Sequence, residues 1–371
     1  MKFLIITHVE HKLNGRCISA YAPYVREMNI WLKHVDDVVI VAPKTSDAIG
    51  SIDLEYKHNS IQFNKIEHIQ FTSVLNMLSS LFKMPLILIS IYKQIKKADH
   101  IHLRCPGNIG LLACIVQIFF PKKIKTAKYA GNWDPKAKQP SSYRFQKWIL
   151  SNTFLTKNMS VLVYGQWENQ TKNIKPFFTA SYFDSEKVKP EIRSYTEILK
   201  FAYVGGLVSG KRPLLAIKII ENLHKTGNNV RLDMYGEGER KGELKEYISK
   251  NKLEGFVKLQ GNKEKQIIKE AFHKTHFLIL PSKSEGWPKA VAEAMFFGSI
   301  PISMSISCIP FMLDYGKRGL LIEPNVEMAA NKIVSFLNKE GELQEMSKLA
   351  SNWSQKYTLD VFETEIAKLL G

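Results

Sequence analysis

The segment HFLILPSKSEGWPKAVAEAMFFGSIPISMS (276–305) decides the fold. It opens on an apolar run of strand length, crosses a polar loop, continues as an apolar helix and ends in a second strand-length run. Two strands joined by a helix in this way lie parallel in one sheet. Pro288 suits the first helical position, where its missing N–H costs nothing, and Gly298 suits the far end. One residue is out of keeping. Glu293 sits in the middle of AVAEAMFF, eight positions after Glu285 in the preceding loop. A buried carboxylate without a partner is costly, so Glu293 is expected to hold something.

The same alternation extends in both directions. In the first half, strands are expected at 3–7, 37–43, 66–71, 100–104, 125–130 and 160–165, with helices near 22–33, 74–97, 107–119 and 141–155. The stretch TASYFDSEKVKPEIRSYTE (179–197) is polar, carries a proline and has no period, which predicts a linker. The pattern restarts with strands at 199–206, 230–236, 256–261, 276–282, 300–305 and 319–324. PLLAIKIIENLHKTG (213–227) bridges the first two of these as a helix stopped by Gly227. The expected fold class is therefore α/β, with two Rossmann-like doubly wound domains facing a cleft. The domains are read as 1–180, a linker 181–198, a second domain 199–352, and a C-terminal helix 353–371 packing back on the first.

The bulk numbers agree. The chain has 371 residues, 45% of them hydrophobic, enough for two cores. Cys17, Cys105, Cys114 and Cys308 lie far apart, so neither a disulfide framework nor a zinc site is indicated, and a reducing, cytoplasmic setting fits. MKFLIITHVEHK reads as a first strand and not as a signal peptide. MPLILISI (84–91) and IGLLACIVQIFF (109–120) are too short to span a bilayer. The net charge of +17 is uneven: residues 1–200 carry 28 Lys and Arg against 15 Asp and Glu, or +13. Lys93, Lys96 and Lys97, and Lys122, Lys123 and Lys125, flank the two apolar segments. Such a pairing fits either a peripheral contact with an anionic membrane surface or solvated helix ends. No basic-aromatic motif points to nucleic acid.

Ligands of doubly wound sheets bind beyond the carboxyl ends of the strands. Three loops stand there. After the first strand of the second domain, Gly205 and Gly206 let a backbone approach closely, and Lys211 and Arg212 bring positive charge to the head of the next helix. The helix after Pro288 offers free N–H groups and its positive dipole end to an anion. Two anion-binding strand ends predict a diphosphate, and Glu293, a turn and a half into its helix, can accept from the hydroxyls of an attached sugar. Glu285 would face the other end of the ligand. A nucleotide diphosphate sugar lying between the two glutamates answers the puzzle of Glu293.

In the frame SEGWPKAVAEAMFFGSIPI, this pair resembles the glutamate, seven residues, glutamate motif of retaining glycosyltransferases of family 4 (group 1), which have the two-domain GT-B fold. The order of VGGLVSGKRP, YGEGE, VKLQGN and FLILPS before the motif and GLLIEP after it is also similar, and residues 199–325 carry the resemblance. It implies transfer of a sugar from a UDP- or GDP-linked donor to a glycan or lipid-linked glycan, in synthesis of a lipopolysaccharide or capsule, with retention and without a metal. Glu293 would bind ribose, Glu285 the transferred sugar and Lys211 the diphosphate. Gly205, Gly206, Arg212, Gly236, Gly238, Gly286, Trp287, Lys289 and Ala290 complete the implied donor site. Two positions depart from the family: Gly206 stands where arginine is usual, with Arg212 as its candidate replacement, and Pro288 where glycine is frequent. On the acceptor side the expected residues are His8, Asn14, Gly15 and Arg16 in the loop THVEHKLNGRCISAYAPYV (7–25), and Tyr129, Asn132 and Asp134 in KYAGNWDP (128–135).

Other signals compete. A GT-B sugar-nucleotide epimerase or hydrolase, or a sugar-nucleotide-binding protein without turnover, would present the same donor residues. YGEGERKG (235–242) has the glycine spacing of a dinucleotide loop, but it follows the second strand of its domain, not the first. His100 and His102, and His8 and His11, have metal-ligand spacing without a cysteine or carboxylate cluster beside them, so no metal is expected. No D-x-D occurs.

Overall fold

A computed structural model describes residues 1–15, 17–50, 52–69 and 74–371. The chain divides into two compact units, 1–178 with 362–371, and 179–361.

The first unit runs β1 (Lys2–Ile6), β2 (His11–Asn14), β3 (Cys17–Tyr21), α1 (Ala22–Trp31), β4 (Asp37–Pro43), β5 (Asp53–Glu55) and β6 (Ile61–Ile66). It continues with α2 (Val74–Lys97), β7 (His100–Cys105), α3 (Asn108–Val116), β8 (Ile124–Tyr129), α4 (Ser141–Ser151), β9 (Met159–Tyr164) and β10 (Ile174–Phe177). Its seven-stranded sheet has the order β10-β9-β8-β7-β1-β4-β6, all pairs parallel. Helices cover the faces of such a sheet, so central strands must be apolar on both sides. Phe3 to Ile6 accordingly have no exposure, and Val38 to Ala42 almost none.

Two expectations need correction here. The loop expected over 7–25 contains an antiparallel hairpin, β2 with β3, joined by β5 into a three-stranded sheet; Asn14 pairs with Cys17 at its end, and Gly15 beyond them takes φ +58°. Of the strand expected at 66–71, residues 70 and 71 lie outside the described residues; the strand that is described lies earlier, at 61–66, in register with β4 from Ile61 against Val38 to Ile66 against Pro43. The lysine cluster of 122–125 is also partly spent inside: Lys125 Nζ donates to Phe120 O at 2.9 Å and Lys123 Nζ donates to Ala98 O.

The second unit runs β11 (Leu199–Val204), α5 (Pro213–Lys225), β12 (Val230–Tyr235), α6 (Lys241–Lys250), β13 (Val257–Gly261), α7 (Lys265–Lys274), β14 (Phe277–Leu280) and α8 (Lys289–Phe296). Then come β15 (Ile300–Met304), α9 (Ile309–Met312), β16 (Leu320–Ile322), α10 (Val326–Leu337), α11 (Glu340–Ser354) and α12 (Leu359–Leu370), whose residues from Phe362 on belong to the first unit. Its parallel sheet has the order β13-β12-β11-β14-β15-β16.

The segment 181–198, expected as a linker, is built into this unit. Buried Arg193 donates through Nη1 to Gly298 O at 2.6 Å and through Nη2 to Phe297 O at 2.8 Å and His273 O at 3.2 Å. One guanidinium thus satisfies the last carbonyls of α7 and α8, which have no helical donors of their own. Gly298 has φ +74°, and a Cβ there would stand 2.7 Å from Pro190 Cβ, so the helix end and this segment fit only because the residue is glycine.

Candidate functional site

In the second unit, connections from β11 lead one way along the sheet to β12 and β13, and the other half of the chain fills the opposite side from β14 onward. The topological switch point lies between β11 and β14, and sheets of this kind bind ligands beyond the carboxyl ends of the strands at that point. Lys211 follows β11 and Glu285 follows β14. Their side chains meet: Lys211 Nζ lies 2.5 Å from Glu285 Oε1. Lys283 N donates to Gly210 O at 2.8 Å and ties the two loops together behind the pair. Glu285 is buried, whereas the lysine side chain keeps 31% of its exposure.

The loop that carries Glu285 is braced from below. Cys308 Sγ donates to Gly286 O at 3.0 Å, and Ser307 Oγ to the same oxygen at 3.4 Å. Burial, with Glu285 nearby, pushes the Cys308 thiol up to about 12. Tyr203 OH donates to Gly206 O at 3.0 Å, and burial followed by the Glu285 charge holds its phenol well above the ordinary value. Helix α8 then begins at Lys289 with Pro288 as its N-cap, one residue later than the sequence suggested. Val291 N and Ala292 N donate to Pro288 O and close the first turn of α8, whose positive dipole end follows the loop from β14.

Glu293 has its partner within the unit: Ser181 Oγ donates to Glu293 Oε1 at 2.5 Å. The carboxylate is half-buried in a small recess with Tyr182, Trp287, Lys289, Ser354 and Tyr357. Burial and the Glu293 charge raise the Tyr182 phenol. Neither Ser181 nor Tyr182 was foreseen, because a single hydroxyl 112 residues away leaves no periodic signal in the sequence.

The remaining expected residues divide. A Cβ on Gly205 or Gly206 would meet nothing nearer than 3.7 Å or 3.8 Å, ordinary contact distances, so packing does not require glycine there. Gly236 and Gly238 are glycines for another reason: a Cβ would stand 2.0 Å from Gly205 O and 2.5 Å from Leu207 O. Backbone bonds Gly205 N to Tyr235 O and Leu207 N to Glu237 O join these two loops, so the second loop supports the first by direct packing. Trp287 is buried against Trp353 and Tyr357, with ring centroids 6.2 Å and 5.8 Å away.

In the first unit the switch point falls between β1 and β7. His8 is exposed there, so close to Gly107 that a Cβ would lie 2.8 Å from its Nδ1. Asn14 and Gly15 are exposed on the hairpin tip, and Arg16 lies outside the described residues. Tyr129 does not line any surface: it is fully buried with its ring edge-on to Trp133 at 4.8 Å. Asn132 and Asp134 spend carboxamide and carboxylate oxygens on the backbone N–H groups of Asp134 and Lys136. His100 and His102 share the Thr126 hydroxyl, and His11 bonds Val9 O and Tyr56 OH, so these rings are core polar groups. Among the described residues, no group of three or more His, Cys, Asp or Glu is arranged to hold a metal ion.

At the switch point of this parallel sheet stand an ammonium and a carboxylate, next in sequence to a helix that carries a second carboxylate, in an α/β fold with two Rossmann-like units. Residues 184–353 match the family described as Glycosyl transferases group 1. Anabaena HepE, solved in complex with UDP and glucose, is similar over 99% of this chain and 98% of its own, with a TM-score of 0.68 and 15% identity, a likeness of fold, the two-domain GT-B type. A GalNAc-alpha-(1->4)-GalNAc-alpha-(1->3)-diNAcBac-PP-undecaprenol alpha-1,4-N-acetyl-D-galactosaminyltransferase of Campylobacter jejuni is 24% identical over 319 residues, 84% of this chain and 85% of its own. The GtfA subunit of a Limosilactobacillus reuteri UDP-N-acetylglucosamine–peptide N-acetylglucosaminyltransferase is 30% identical over 100 residues. That match covers 27% of this chain and only 18% of the relative's length.

Proposed function

We propose that the chain is a glycosyltransferase that moves a sugar from a UDP- or GDP-linked donor to a glycan or lipid-linked glycan acceptor in cell-surface polysaccharide synthesis. Transfer proceeds with retention of anomeric configuration and without a divalent metal. The observation that carries this reading is the Lys211–Glu285 pair at the switch point, beside the N-terminus of the helix that bears Glu293. Lys211 has three N–H donors and spends one on Glu285, so it can neutralise a diphosphate without leaving its partner. The positive dipole end of α8 favours the same anion. As the bond to the sugar breaks, the leaving diphosphate accepts the acceptor's proton on the same face, and lysine and helix terminus stabilise the charge that develops. Glu293 accepts from ribose hydroxyls, exchanging the Ser181 hydroxyl for those of the ligand. Glu285 orients the transferred sugar. The Campylobacter relative's undecaprenol-linked substrate favours a lipid-linked acceptor, and the UDP complex of HepE makes UDP the first nucleotide to try.

Thermal stabilisation by UDP, GDP, ADP, CMP, NADH and NADPH, repeated on Glu293→Ala, tests the donor half. One nucleoside diphosphate at a hundred times its Kd should add about 2.7 kcal/mol of stability, and the variant should lose that ligand-dependent shift. Stabilisation by NADPH alone, or by nothing, would overturn the reading. Donor consumption without an acceptor would instead assign an epimerase or hydrolase.

A further inference from the structure

The first unit exposes an apolar and basic face made of residues other than those assigned above to donor or acceptor. On α2, residues Phe82, Leu86, Ile89, Lys93, Lys96 and Lys97 follow one another at helical spacing and fall on a single stripe. Phe82 is 82% exposed and Leu86 71%, and the three lysines are exposed as well. The stripe is apolar through its first turns and cationic through its last. Beside it a groove of about 540 Å³ runs between Leu88 and Tyr92 of α2 and Ile115 and Phe119 at the end of α3, with the same lysines at its rim. A helix that faces only water keeps this stripe polar, and a contiguous exposed apolar surface marks a docking face.

The lysines select the occupant. A second copy docked by two-fold symmetry would set two cationic rows against each other. A bilayer with anionic headgroups matches both halves at once, since acyl chains cover the apolar turns while phosphates meet the lysines. The neighbouring sequence has the same sign: residues 101–150 carry 9 Lys and Arg against a single acidic residue, Asp134. Among the described residues no helix is long and apolar enough to cross a membrane, so the contact is with its surface. We propose that this face binds an anionic phospholipid bilayer, with the α2 stripe in the headgroup layer and one acyl chain in the groove. The proposal does not depend on the transfer chemistry.

Flotation of the full chain with phosphatidylcholine vesicles, with or without phosphatidylglycerol, at low and high salt tests it. The protein should float with the anionic vesicles at low salt, sink with phosphatidylcholine alone, and lose binding as salt rises. Lys93→Ala with Lys96→Ala should weaken partition roughly thirty-fold, and Phe82→Ser with Leu86→Ser should abolish it, circular dichroism melting showing that each variant folds. Failure of the unmodified chain to float with anionic vesicles, or variants that float equally well, would overturn the proposal. A dimer in light scattering that Phe82→Ser with Leu86→Ser dissolves would also overturn it, by giving the face to a second copy. Nucleotide stabilisation is read separately, so its absence would sink the transfer reading and leave the flotation result standing.

Discussion

At the scale of single residues, Lys211 and Arg212 are neighbours with different positions. Lys211 is fixed by Glu285 at 2.5 Å, whereas Arg212 is the left-handed N-cap of α5, with φ +51°. If the lysine meets charge that develops during transfer, its loss should lower kcat. Arg212, standing in for the arginine absent at Gly206, should serve ground-state binding of the diphosphate, so its loss should raise donor KM alone. Lys211→Ala is expected to reduce kcat by about a hundredfold or more, by analogy with removal of one preorganised donor to a developing anion. Steady-state kinetics of Lys211→Ala and Arg212→Ala with the stabilising donor decide this, and equal kcat losses would remove the distinction. The type of these residues was legible because cations and carboxylates at strand ends are rare and chemically specific. Their pairing was not, because nothing in the sequence states that positions 211 and 285 share one switch point until the strand order is known. Glu293 raised the right question, but Ser181 answers it from a segment that resembled a linker.

At the scale of elements, glycines in the β11 and β12 loops look alike in the sequence and do different work. Gly206 has room for a side chain; Gly236 has φ +147° and Gly205 O where a Cβ would go. Gly206→Ala should therefore fold with unchanged stability and show its effect only on donor affinity. Gly236→Ala should lose about 2 kcal/mol or more through backbone strain and the clash, and donor affinity should fall with it as the β11 loop shifts. Denaturant midpoints of the two variants separate the cases, and an equally stable Gly236→Ala would show that the loop yields without cost. Strands and helices of the βαβ units were legible because their apolar runs repeat at fixed periods, as in α2 at 74–97. The β2–β3 hairpin was not legible because its strands span only 4 and 5 residues, too few for the alternation to stand out from a loop. Segment 181–198 looks like a linker in the sequence for the opposite reason: it is anchored by isolated side chains such as Arg193, which impose no period.

Over the whole molecule, both units bury histidines as neutral hydrogen-bonding groups. In the first unit His11 bonds Val9 O and Tyr56 OH while His100 bonds Thr126, and in the second His276 bonds Ser194 O and accepts from Lys200 N. Burial holds each of the three at about 4 against an ordinary 6.5. As pH falls, the unfolded chain therefore takes up protons that the folded chain refuses. Their contribution to stability is whole above about pH 6.5 and drains between 6.5 and 4, with each histidine worth about 3 kcal/mol when fully protonated in the unfolded state. The chain's excess of positive charge acts in the same direction, since it grows as carboxylates are neutralised. Urea midpoints should accordingly be flat from pH 8 to pH 7 and fall steeply from pH 6 to pH 4.5. High salt separates the two causes, because it screens long-range repulsion between surface charges and leaves the cost of protonating a buried imidazole almost untouched. An acid loss that vanishes in high salt would assign the effect to net charge; one that persists belongs to the histidines in the two sheets.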